Sequence, residues 1–102
     1  MMRLIATLAR QIEDEVDGAL EYAKDAITYK LDRPELASKY HKMSVVEFEH
    51  SEALHEEVAK AIEEAEKSGI KYPQSMKDSW ESKHRELKAK AENAKVFIGM
   101  WK

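Results

Sequence analysis

Both prolines of this chain, and one of its glycines, fall in two short stretches. Of 102 residues only 3 are glycine and 2 are proline, and apart from Gly18 and Gly99 they stand at Pro34 and at Gly69 with Pro73. Long stretches with neither breaker remain between them, so the chain is expected to be all-α. Pro34 suits the first turn of a helix, where its missing N–H has no intrahelical partner to lose. Ser68-Gly69 reads as a helix stop and Ser75 as an N-cap. The expected helices cover about 2–30, 34–67 and 75–101, within a single domain of residues 1–102. At about 1.5 Å per residue the first two span roughly 40–50 Å, and breaks this short make them antiparallel neighbours.

Composition removes several function classes. The chain has no cysteine, which excludes disulfides, cysteine-ligated zinc or iron–sulfur sites and thiol catalysis. Hydrophobic residues make up 43% and charged residues 36%, the balance of a globular protein. No stretch approaches the roughly 20 apolar residues of a membrane span, and no signal-peptide core stands at the N-terminus. A cytoplasmic protein without membrane contact is expected. The net charge of −3 conceals an asymmetry: residues 1–70 carry 9 basic and 16 acidic side chains, residues 71–102 carry 8 and 4. An acidic front argues against nucleic acid as a partner and suits cations. Charge alone favours the plainer reading, a solvated helical surface with complementary halves.

Alternating steps of four and three trace one apolar seam per helix. Helix one gives Ile5, Leu8, Ile12, Glu15, Ala19, Tyr22, Ala26 and Tyr29. Helix two gives Leu36, Tyr40, Met43, Glu47, His50, Leu54 and, after a one-residue drift, Val58 and Ala61. Helix three gives Trp80, His84, Leu87, Ala91, Ala94, Ile98 and Trp101. The exceptions to the pattern are Glu15, Glu47, His50 and His84.

An ionised carboxylate taken out of water costs several kcal/mol unless a counter-charge meets it. If the turn centres near Asp32, antiparallel partners sum to about 64, so residue 15 faces residue 49, between Glu47 and His50. Glu47 and His50, three apart, project from one helix face. Two carboxylates and an imidazole at one level of a hairpin suit a hard or borderline divalent metal, iron or manganese better than zinc.

Here the chain resembles a known family. Glu15 with Tyr22 seven residues on, then Glu47-Phe48-Glu49-His50, is similar to the E-x6-Y … E-x-x-H signature of ferritin-like di-iron carboxylate proteins. The resemblance covers about residues 8–66, half of a four-helix ferritin-like domain, and so half of a di-iron site. It implies a homodimer in which two hairpins form the four-helix bundle, as in encapsulated ferritins, whose partner is a protein shell. It also implies oxidation of Fe(II) with oxygen or peroxide. Glu15 and His50 would be terminal metal ligands, Glu47 a bridging ligand, and Tyr22 a hydrogen-bond donor that orients one of them. Helix three is longer than an encapsulated ferritin's tail, and no shell-targeting sequence stands at the C-terminus. Without cysteine there is no rubredoxin-type iron site, and without a second helix pair no large storage cage.

Other residues are read more plainly. Glu52 and His55 repeat the E-x-x-H spacing but lie about 140° around the helix from Glu47, which assigns them to the surface or to a place behind the ligands. Glu13, Asp14 and Asp17 form an acidic face beside Glu15, and a cation path along it is the alternative. His84 is expected to be a satisfied core histidine. Trp80 and Trp101 bound the seam of helix three, and the run Val96–Trp101 either packs over helices one and two or joins another subunit. The rival to the metal reading is a non-catalytic helical assembly protein, such as a phage or structural subunit. In it the polar seam residues only set register.

Overall fold

A computed structural model describes residues 2–101, with the backbone alone for Met2. Among them are three helices and no strand: α1 (Met2–Thr28), α2 (Pro34–Lys67) and α3 (Gln74–Gly99). They form a rod of 56 × 18 × 18 Å. The fold class is all-α, as expected, and α1 and α2 form the long antiparallel hairpin.

The helix ends follow local chemistry. Pro34 occupies the first turn of α2. At the other end Gly69, at φ +73°, donates to Glu66 O at 3.1 Å, and Ile70 donates to Ala65 O at 3.1 Å. Those two bonds make a Schellman stop, whose left-handed residue favours glycine. Three ends differ from the expectation, one of them the C-terminal end of α3, which stops at Gly99 rather than near Trp101. α1 stops at Thr28, so residues 29–32 form the turn and Arg33 N–H donates to Tyr29 O at 2.8 Å. α3 starts one residue early, with Pro73 as its N-cap and no side-chain capping bond, so Ser75 lies inside the first turn.

The core gathers Leu8, Ala9, Ile12, Val16 and Ala19 of α1 against Val58 of α2 and Leu87 and Ala94 of α3. Burying a side chain such as Ile12 or Leu87 stabilises the fold by about 1.5–3 kcal/mol. α1 is the central helix: α3 packs chiefly along it, so α1 buries a second row beside the expected one.

On α2 the expected seam holds at Val58 and Ala61, which are buried, but over the first half of the helix it is displaced by one residue. The buried line is Ala37, Ser44, Ser51, Val58 and Ala65, whereas Leu36, Met43 and His50 are exposed. Small side chains fill this buried line, as Ala19, Ala23 and Ala26 do on α1. The serines tolerate burial because each hydroxyl bonds within its own helix, Ser44 Oγ to His41 O and Ser51 Oγ to Phe48 O, both 2.6 Å.

The charge asymmetry reappears as docking of α3. Lys83 Nζ donates to Glu13 Oε2 at 2.8 Å, and Lys90 Nζ reaches both Glu13 Oε2 and Asp17 Oδ1 at 3.3 Å. The Lys83 hydrogen bond holds the Glu13 carboxyl below its usual range. Aromatic contacts are made within α3 at Trp80 and just past its C-terminal end at Trp101. Trp101 stacks on His41 at 5.0 Å, and Trp80 on His84 at 5.3 Å. The run Val96–Trp101 therefore packs in part over the hairpin, with Lys24 over the Phe97 ring, while Val96 and Met100 stay exposed. None of the helices is long and apolar enough to cross a membrane, among the described residues.

Candidate metal centre

Glu15 stands midway along α1, and Glu47 and His50 stand one turn apart near the middle of α2. Antiparallel pairing brings them together as the residue sums require. One ligand atom from each lies within 4.8 Å of the other two, the one such trio among the described residues. His50 Nδ1 is 3.5 Å from Glu15 Oε2.

The electrostatics of the trio are unfavourable without a cation or a proton. The Glu47 carboxyl is pushed up to about 7, chiefly by its contact with the Glu15 carboxyl, then by burial and by the charge of Glu15. The charge of a protonated His50 works in the opposite direction. Two ionised carboxylates offer only acceptors to one another, so the contact forms only when a proton is shared. Glu15 Oε2 is a buried oxygen with no hydrogen bond, and His50 Nδ1 stands only within ion-pair reach of it. A cation meets the same need.

Depth differs from the expectation. Glu15 and Glu47 are half-buried, but the His50 side chain is 58% exposed. His41 and His55, which meet α3, flank one side of the buried line of α2. Tyr40, Glu47 and His50 lie on its other flank, at about 100° per residue. The trio therefore opens on a face that α3 leaves uncovered. Leu36, Met43 and Val46 of α2 and Tyr29 beyond α1 are exposed apolar neighbours in sequence to this face.

Tyr22 stands two turns beyond Glu15, half-buried, with its ring stacked on Tyr40 at 5.9 Å. No hydrogen bond joins its hydroxyl to the trio among the described residues. Glu52 and His55 turn to the other flank, where the His55 ring lies 4.7 Å from His84. Burial first, then the charges of His84 and Lys88, holds His55 below its usual range. His84 thus packs between Trp80 and His55, away from the trio. Glu13 and Asp17 are engaged with lysines of α3, and Asp14 with Arg10 at 3.4 Å, which accounts for this acidic face by pairing.

One contributor escaped the sequence reading. Gly18, a turn beyond Glu15, lies directly against the Glu47 carboxylate. Its signal was a lone glycine inside a long helix, three residues after a seam glutamate.

The three side chains are two carboxylates, one of them with the buried oxygen, and an imidazole, donors of the kind that hard or borderline divalent cations take. Three side chains fall short of the six positions an octahedral ion fills, which leaves room for further ligands. No protein-family profile, curated protein or solved structure matches the chain.

Proposed function

We propose that two copies of this chain pair through the α1/α2 face into a ferritin-like four-helix bundle. The dimer would hold two iron ions at the interface and oxidise Fe(II). The observation that carries the reading is the convergence of Glu15, Glu47 and His50 around a buried carboxylate oxygen that lacks a donor. The exposed apolar residues Leu36, Met43 and Val46 on the same side of α2 support pairing there, since apolar surface beside a half-open polar cluster favours a protein partner.

In this reading Glu15 and His50 would hold the iron as terminal ligands, and Glu47 would be the ligand shared between ions. Tyr22 and its stacked Tyr40 wall the site toward the hairpin turn. Cation binding releases the proton that Glu15 and Glu47 otherwise share, so uptake is coupled to proton release. Two Fe(II) ions give up one electron each, and dioxygen takes both with two protons to leave as hydrogen peroxide. Manganese fits the same donors. The reading takes the protein to be cytoplasmic; among the described residues no helix is long and apolar enough to cross a membrane.

Anaerobic loading with Fe(II), followed by oxygen, tests the enzymatic claim. A near-ultraviolet ferric band and about one iron per chain are expected, two per dimer. No band, with iron well under one per chain, overturns it. A second reading has one observation in its favour: a protonated His50 pairs with Glu15 across 3.5 Å without any metal. The trio would then only fix the register of a helical assembly, and added metal would leave its stability unchanged.

A further inference from the structure

Gly18 lies inside α1, where alanine is the better helix former. Its backbone gives no reason for a glycine, since Gly69 is the one glycine at positive φ among the described residues. The reason lies across the hairpin. A Cβ at position 18 would stand 3.3 Å from Glu47 Oε2, 3.5 Å from Glu47 Cδ and 3.9 Å from Glu47 Cγ. The three nearest atoms all belong to one side chain, and that side chain is a proposed ligand. At Gly99, the other glycine within a helix, the same Cβ meets nothing within 4 Å.

We propose that Gly18 is a positioning residue of the metal centre: its missing side chain leaves the space through which the Glu47 carboxylate reaches Glu15. The inference rests on the metal reading above. Alanine at position 18 forces the carboxylate aside by a few tenths of an ångström, because 3.3 Å is tighter than ordinary van der Waals contact. Glu47 can yield by rotating about its own side-chain bonds, so the fold survives while the ligand moves off its place. Helix preference and ligand placement then respond with opposite signs. The chain becomes a better helix and a poorer metal binder.

The test uses the full chain as wild type, Gly18→Ala, Gly99→Ala and Glu47→Ala. Each is titrated anaerobically with Co(II), read by its visible absorption, and with Fe(II) against a chromophoric competitor. The melting temperature of each is measured without metal. The expected result for Gly18→Ala is an unchanged or raised metal-free melting temperature, metal binding weakened roughly 10–100-fold, and an altered Co(II) spectrum. Gly99→Ala should bind as wild type does. Binding by Gly18→Ala within twofold of wild type, with the same spectrum, overturns the inference and leaves the metal reading standing. A lowered metal-free melting temperature for Gly18→Ala also overturns it, because Gly18 would then serve packing. Wild type that shows no binding dependent on Glu47 overturns both.

Discussion

The Glu15 and Glu47 carboxyls converge across the α1/α2 hairpin so closely that one of them holds its proton up to about pH 7. A protein that fills this position with two acids stabilises it with a proton, a cation or both. That choice has a measurable pH signature. The folded chain keeps a proton on Glu47 that the unfolded chain releases near the ordinary value of 4.5. The folded state therefore binds more protons than the unfolded one between about 4.5 and 7, and metal-free stability falls as pH rises through that window. Above about 7 the contribution is fully lost. Glu47→Gln cannot lose a proton, so urea midpoints of wild type minus Glu47→Gln should decline across the window and then level off.

Metal should act in the opposite direction. Fe(II) or Mn(II) at about a hundred times its dissociation constant should stabilise the fold by about 2.7 kcal/mol, and a chelator should remove the gain. For a chain of this size that is a rise of about 10–20 °C in melting temperature. Glu47→Ala and His50→Ala should show no such rise in a thermal melt with and without metal. An identical rise in Glu47→Ala would move the binding elsewhere.

The attachment of α3 to α1 rests partly on one carboxylate that meets two lysines. Glu13→Gln weakens its contacts with both Lys83 and Lys90. These are partly exposed ion pairs, so the loss should be small and shrink in high salt. Leu87→Ala, at a site only 1% exposed, should cost about 2–5 kcal/mol by leaving a cavity, with no salt dependence. Urea unfolding at low and high salt separates the two effects.

Adjacent residues on α2 should respond oppositely to a change of size. Ser44 is fully buried, whereas Met43 is 42% exposed. Ser44→Leu should destabilise the chain by at least about 1–3 kcal/mol through overpacking. Met43→Ser should leave unfolding of the single chain nearly unchanged and weaken the proposed dimer, read by sedimentation equilibrium.

That pair also shows what the sequence conceals. The placement of Pro34, Gly69 and Pro73 made the three helices legible, because breakers act locally. The level of Glu15 against Glu47 and His50 was legible because short turns fix antiparallel register. The buried line of α2 was not. Reading burial from side-chain size selected Leu36, Met43 and His50, but helix packing buries Ala37, Ser44 and Ser51, whose side chains are small. The exposure of His50 follows from the same one-residue displacement. The position of Trp101 against His41 depends on where α3 docks, a long-range outcome that no local pattern encodes.

Diffraction at the iron edge from crystals of the iron-loaded protein tests the central claim most directly. The account predicts two anomalous peaks per dimer, each bounded by Glu15, Glu47 and His50 and bridged by both copies of Glu47. Iron elsewhere, or no anomalous peak while the three side chains hold to one another as a bare ion pair, would contradict it.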